Sequence, residues 1–402
     1  MKRLLLTFSV IVLVIGCTSS KSHPDDQQVQ VGAEVLIEDF LSELKDKKVG
    51  LVMNPTARVN GIHMLDTLLS TQINITALFA PEHGFRGEAG AGEVIKNGID
   101  QETGLPVYSL YGDSKKPTSE MLQNVDVLLF DMQDVGARFY TYNVTLGLVL
   151  EAAAENDVAV WVLDRPNPAG GEYIAGWVLQ EEHKSFVGAY PIPMAHGMTL
   201  GELAQMMVGE KWINFKQEPD LKVISMKGWK RSMKWPETGL AWHPPSPNLP
   251  TFEHAYVYLG TVLFEGTNIS EGRGTENPFL TIGSPTTNIT DEDIQMLNEQ
   301  FPSVAVTKTT FIPQSMPGKS LYPKFEDEQC YGVTISVDDY EQLNPIRFGV
   351  ELLKLMYHST EGAAIKPFIK NLSGINIESI EDLISNWEVK EFKKMREPYL
   401  LY

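Results

Sequence analysis

The stretch "APEHGFRG" at residues 80–87 closes an apolar run, Ile75 to Ala80, with a carboxylate and an imidazole. A plain turn calls for Gly, Pro, Asn or Asp and has no use for Glu-His. Glu82 is therefore a candidate for chemistry rather than a turn residue, with His83 and Arg86 beside it. A second stretch, "DMQDVGARFYTY" at 131–142, gathers Asp131, Gln133, Asp134, Arg138 and Tyr140. A third, "FEGTNISEGRGTENPF" at 264–279, offers Glu265, Asn268, Glu271 and Arg273 among glycines that let backbone approach a ligand closely. Such loops suit a polyhydroxylated ligand, with carboxylates accepting from hydroxyls and an arginine pairing with an acidic group. Glycoside cleavage typically uses two carboxyl groups, about 5–5.5 Å apart when configuration is retained and about 6.5–9.5 Å apart when it is inverted. Glu82 and a glutamate of the third loop are the candidate pair. A sugar bearing a 2-acetamido group also permits substrate assistance, with no protein nucleophile.

The elements that must position these residues follow from hydrophobic period. Between residues 47 and 164, apolar runs alternate with segments of helical spacing. Strands are expected over "KKVGLVMNP", "NITALFAPEHG", "PVYSLYG", "VDVLLFDMQD" and "VAVWVLDRPNP". Helices are expected over "GIHMLDTLLS", over "PTSEMLQNV" with Thr118 or Ser119 as cap, and from Tyr142 to Ala153. Apolar strands separated by helices imply a mostly parallel sheet covered on both faces. Ligands of such sheets bind outside the carboxyl ends of the strands. Asn54, Glu82, Asp131 and Asp164 each end a candidate strand, so the topology collects them along one sheet edge. Further on, Thr199 and Glu202 form a capping box, "LKVISM" reads as another strand, and the proline-rich "WHPPSPNLP" at 242–250 marks a domain boundary. A smaller α+β domain over 251–402 follows, with strands near 303–312 and 330–337 and helices around 252–263, 346–356 and 376–396. The expected architecture is α/β: a mostly parallel-sheet domain up to that boundary, then the smaller α+β domain, so that Glu82 and a glutamate of the third loop could meet across a cleft.

The N-terminus reads as a bacterial lipoprotein signal. Lys2 and Arg3 precede an apolar run from Leu4 to Ile15, and Val14-Ile15-Gly16-Cys17 resembles a lipobox. Acylation at Cys17, worth about 0.8 kcal/mol per buried methylene, would hold the protein on a membrane of the cell envelope, at its periplasmic or outer-membrane face. Residues 18–33 are expected to be a flexible tether. Cys330 is the other cysteine and is expected in the core, so no disulfide framework is read. A net charge of −19 argues against nucleic-acid binding. No phosphate loop, dinucleotide fingerprint, nucleophile elbow or metal-ligand spacing is present, so the sequence calls for no cofactor and no metal, and it points to no protein partner.

Seven blocks then carry a resemblance: "NPT" at 54–56, "APEHGFRG" at 80–87, "DMQDVGARFYTY" at 131–142, "DRPNP" at 164–168, "HGMTLGELA" at 196–204, "SPNLP" at 246–250 and "EGTNISEGRGT" at 265–275. In this order they resemble the exo-acting β-N-acetylmuramidase family of the NamZ type, earlier a domain of unknown function. The likeness runs from about residue 34 to the C-terminal "EPYLLY". The resemblance implies a Rossmann-like domain over 34–250, a smaller C-terminal domain over 251–402 and an active-site cleft between them, and a glycoside hydrolase that releases terminal N-acetylmuramic acid from the non-reducing ends of peptidoglycan fragments. It implies a catalytic role for Glu82, assisted by His83, with Glu271 or Glu265 as the second carboxylate. Arg86, Arg138 or Arg273 would pair with the lactyl carboxylate, and Tyr140, Asn248 and Asn268 would bind hydroxyl or acetamido groups. Asn54, Asp131, Gln133, Asp134, Asp164, Arg165, Asn167 and His196, from the same blocks, complete the expected contacts. A non-catalytic wall-binding lipoprotein built on the same cleft is the competing reading.

Overall fold

The computed structural model describes residues 28–86, 97–112, 114–384 and 386–402. The signal segment, Cys17 and residues 18–27 of the expected tether lie outside the described residues. The rest of that expected tether does not behave as one. Val29 and Val31 are buried, Gln30 pairs with Lys227, and Gly32–Val35 form a helical turn whose Gly32 N–H donates to Asp164 O at 2.8 Å. Two valines next to a polar stretch suffice to dock the segment, so the body begins earlier than its composition suggests.

Seven strands make the central sheet: β1 Val49–Met53, β2 Ile75–Ala80, β3 Gly98–Ile99, β4 Pro106–Ser109, β5 Val127–Asp131, β6 Ala159–Leu163 and β7 Leu221–Ile224. Their order is β7-β6-β5-β1-β2-β4-β3, and every pairing is parallel except that of β3 with β4. Successive residues point to opposite faces. Leu51, Leu78, Leu129 and Leu163 face one apolar layer, with Leu36 and Leu65, and Val52, Phe79, Phe130 and Val162 face the other. The chain runs outward from β1 through β2 in one direction and through β5 in the other, so a topological switch point lies between β1 and β5.

Helix α1 is Met64–Ser70, α2 Tyr142–Glu155 and α3 Leu200–Gly209, the last opened by the Thr199–Glu202 capping box. The expected helix over 61–70 starts late because Arg58–Val59 and Ile62–His63 form a hairpin. Asn60 (φ 50°) and Gly61 (φ 79°) make its turn, the usual Asn-Gly solution for a two-residue loop.

The second half carries α4 Phe252–Thr261, a three-stranded antiparallel sheet of β8 Thr281–Ser284, β9 Val304–Phe311 and β10 Cys330–Val337, α5 Asp291–Gln300 and α6 Pro345–His358. Helices α4 and α6 cross closely at Gly260 and Gly349, where an added Cβ at Gly260 would stand 2.1 Å from Pro345 O. The expected final helix over 376–396 is instead a short turn at Ile380–Asp382 and a helix at Lys390–Arg396. Ser379 and Asp382 cap one another and open that turn, and at Leu383 the backbone leaves the helical region (φ −77°, ψ 85°). Cys330 is buried, and burial pushes its thiol up to about 12. The apolar layer under α2 and α3 continues through Val257, Phe264, Ile282, Val333 and Leu352, so both halves share one core. Among the described residues no helix is long and apolar enough to cross a membrane.

Candidate active site

Beyond Ala80 the chain leaves β2 and turns back on itself. His83 takes a left-handed backbone (φ 74°), as does Gly84 (φ 83°), and Gly84 N–H closes the turn on Pro81 O at 3.1 Å. A left-handed, 5 % exposed histidine is held by its surroundings, and strain of this kind clusters at working sites. The turn presents Glu82 into a cleft of about 480 Å³ between the sheet's edge and the second half of the chain. Thr141 Oγ1 donates to Glu82 Oε2 at 3.0 Å. Tyr111 also hydrogen-bonds Glu82, and burial together with that carboxylate pushes the Tyr111 hydroxyl up to about 12.

The opposite wall is built by the loop after α4. Glu265, Glu271 and Arg273 all line the cleft. Arg273 holds Glu265 through Nη2 at 2.7 Å and Nε at 3.0 Å, and stands 3.6 Å from Glu271. Lys324 Nζ lies 2.8 Å from Glu271 Oε2 while donating to Phe264 O and Ile269 O. Burial pushes the Glu265 carboxyl up, and Arg273 does not fully offset it. Burial pushes Glu271 the same way, but Lys324 and Arg273 outweigh it and hold that carboxyl below its ordinary range. Neighbouring carboxylates driven in opposite directions are the arrangement that separates a proton-bearing group from an ionised one. Glycines make the loop feasible. Gly272 (φ 78°) passes Thr281 O so closely that a Cβ would sit 2.3 Å from it, and Gly274 (φ 82°) similarly meets Gln314 O.

Aromatic rings floor the cleft. Phe139 and Tyr140 pack edge-on against Tyr258, and Tyr258 against Phe279, whose ring lies 5.0 Å below the Arg273 guanidinium. Leu321 and Tyr322 stand exposed at the rim. Among the described residues no group of three or more His, Cys, Asp or Glu is placed to hold a metal.

Of the sequence-predicted residues, Glu82, His83, Tyr140, Glu265, Glu271 and Arg273 are therefore gathered in one cleft. The others lie outside this cleft, each held by protein partners. Arg138 is fully buried, donating to Trp177 O, Ile192 O and Leu372 O, and burial brings it down to about 9. Arg86 is clamped by Asp100 and Glu102. Asn54 fastens Thr56 and Tyr142. Asp131 is paired with Arg165. Asp134 receives Gly136 N–H and lies 3.5 Å from His196, both away from the cleft. Asp164 accepts from Thr199, Gly201 and Tyr402. Asn167, Asn248 and Asn268 each bond backbone. Gln133 donates to Asp134 O and Pro166 O. These polar groups sit where strands end because buried backbone there needs partners, which sequence cannot separate from a ligand's need. Sequence reasoning missed Tyr111, Thr141, Tyr258, Lys324 and the 320–324 segment. The one available signal for the last was two aromatics in the loop-forming "PGKSLYPKF".

The description "exo-β-N-acetylmuramidase NamZ, N-terminal" matches residues 49–253, and its C-terminal counterpart matches 256–402. The chain belongs to the NamZ family. It is 40 % identical, over an alignment 426 positions long that covers 100 % of this chain and 100 % of the relative, to the peptidoglycan β-N-acetylmuramidase NamZ of Bacillus subtilis strain 168. Two crystal structures of DUF1343 family proteins from Bacteroides fragilis NCTC 9343 share the NamZ-family fold seen here. One has a TM-score of 0.81 at 34 % identity, covering 93 % of this chain and 99 % of its own. The other has 0.77 at 35 %, covering 94 % and 99 %. The NamZ match thus spans both walls of the cleft.

Proposed function

We infer that this chain is an exo-β-N-acetylmuramidase, a glycoside hydrolase that removes terminal N-acetylmuramic acid from the non-reducing ends of peptidoglycan fragments. The observation that carries the reading is the convergence of Glu82 and His83, from the end of β2, with Glu265, Glu271 and Arg273 in one cleft. Membership in the NamZ family and full-length similarity to a peptidoglycan β-N-acetylmuramidase support it.

In the proposed mechanism Glu82 is the general acid that protonates the leaving glycosidic oxygen. Thr141 and Tyr111 orient its carboxyl. Glu271, kept ionised by Lys324, faces the developing positive charge at the anomeric carbon. A water oxygen then bonds that carbon, and the water's proton passes to a carboxylate of the cleft. Arg273, the one of the three candidate arginines that lines the cleft, takes the lactyl carboxylate through Nη1, which has no protein partner. A neutral N-acetylglucosamine terminus would leave that buried donor unpaired, which gives the discrimination. Tyr322 at the rim offers its ring to a sugar face. The lipid anchor at Cys17 is part of the same proposal. It would hold the enzyme at the cell envelope, near its substrate.

The test uses the body without residues 1–17 and N-acetylmuramyl-β-1,4-N-acetylglucosamine, with free N-acetylmuramic acid read by mass spectrometry. Release by the parent, and a loss of about 10²–10⁴ in rate for Glu82→Gln, is expected. Binding without release by the parent would make the protein a wall-binding module.

A further inference from the structure

A second crevice, of about 440 Å³, shares no lining residue with the carboxylate cleft. It opens where the fold places ligands by topology. Thr56 follows β1, Gln133 follows β5 and Arg165 follows β6, so its floor is the carboxyl edge of the sheet at the switch point. Gln133 and Arg165, which the sequence marks as ligand contacts and the active-site cleft does not use, both line it.

We propose that this crevice is a second ligand site, taking a small organic carboxylate held by Arg58, Arg165 and His243. Both guanidinium groups are fixed by the protein and keep one nitrogen for a ligand. Arg58 donates through Nε to Pro55 O at 3.0 Å and through Nη1 to Gly61 O at 2.7 Å, so Nη2 remains. Arg165 is oriented by Asp131 through Nε and Nη2, so Nη1 remains. Prepositioned donors of this kind lose little entropy on binding. Gln133 Oε1, 2 % exposed at the residue level, has no hydrogen-bond partner, a buried acceptor that a ligand hydroxyl or bridging water would satisfy. Glu34 and Glu38 line the outer wall, but Glu34 accepts from Val31 N–H, and Glu38 is paired with Lys227 and Gln30. The donors left for a ligand are therefore those of Arg58, Arg165 and His243. Burial, Arg58 and Arg165 lower the His243 imidazole, and an anion seated between the arginines would offset their push. Binding then takes up a proton. Trp235 in the wall provides a fluorescence reporter.

N-acetylmuramic acid is the probe, because it carries a carboxylate on a sugar of suitable size. The choice of probe rests on the proposed activity, but the assay does not, since hydrolysis of the disaccharide is read separately. Calorimetry on the body lacking residues 1–17 should show two sites for N-acetylmuramic acid. N-acetylglucosamine, which lacks the carboxylate, should leave the second empty. Arg58→Met should weaken the second site at least about tenfold and abolish the change in Trp235 emission, while disaccharide hydrolysis persists. His243→Gln keeps a neutral donor and guards against an effect of misfolding. It should retain binding but lose the proton uptake and the weakening of binding that the parent shows as pH rises. A single site, equal binding of the uncharged sugar, or an isotherm that Arg58→Met leaves unchanged would overturn the proposal.

Discussion

Glu265 and Glu271 stand six residues apart on one loop, yet the protein drives them in opposite directions. The difference is who faces them. Glu265 is hydrogen-bonded by Arg273 and feels Lys324 only as a weaker charge, whereas Glu271 has Lys324 at 2.8 Å with Arg273 behind it. Lys324 is thus a positioning residue for the charge on Glu271. Replacing it with Met removes the main force holding that carboxyl down, so the Glu271 pKa rises. The acid limb of the kcat/KM profile then moves to higher pH, while Lys324→Arg largely restores it. A Lys324→Met variant with an unmoved limb but a lower Tm would show a purely structural lysine. The two glutamates were legible in sequence because charged residues inside a glycine-rich stretch are conspicuous. Lys324 was not, since a lysine 53 positions away gives no hint of its partner.

At the scale of elements, what the sequence showed well were the strands, because a parallel sheet buried on both faces demands uninterrupted apolar runs. β1 and β5 are buried along their whole length and could hardly be read otherwise. Loops are read less well, because their shape depends on approaches between distant backbones. The Gly-Arg-Gly turn shows it. Its glycines looked like freedom for a ligand, but Gly272 is there to let the loop pass Thr281 O of β8. Gly272→Ala meets both the left-handed φ of 78° and that carbonyl. We expect a loss of about 1–3 kcal/mol in stability by chemical denaturation, with activity falling further because Glu271 and Arg273 flank the turn. Gly318→Ala, also left-handed (φ 75°) but with nothing within 4 Å of its Cβ, should leave activity nearly intact and so isolate the close approach.

Across the whole molecule, the last residue of the chain reaches back to the first half. Tyr402 donates from its hydroxyl to Asp164 Oδ2 at 2.7 Å and receives Met226 N–H at 2.9 Å. Asp164 ends β6 and also takes Thr199 Oγ1 and Gly201 N–H, so one buried carboxylate ties the sheet, α3 and the C-terminus together. No sequence pattern joins residues 238 positions apart, and Asp164 was read as a ligand contact for that reason. Burial raises its carboxyl from 3.8 to about 6, with the three donors resisting. The sign follows. Between about pH 4 and about pH 6 the folded state holds a proton that the unfolded state has lost, so stability falls as pH rises through this window. The drop is on the order of 3 kcal/mol, and it levels off above it. Tyr402→Phe removes a donor to the charged form, which lifts the folded pKa further. Its cost should therefore be small at about pH 4, where a neutral hydrogen bond worth about 1 kcal/mol is lost. It should grow to about 2–3 kcal/mol at about pH 8, where a buried carboxylate loses one of its donors. Urea unfolding of parent and variant at both values checks this. Equal losses at both would mean that the hydroxyl does not distinguish the charged from the neutral carboxyl, and no loss at either would leave Tyr402 with its ring packing against Trp229 alone.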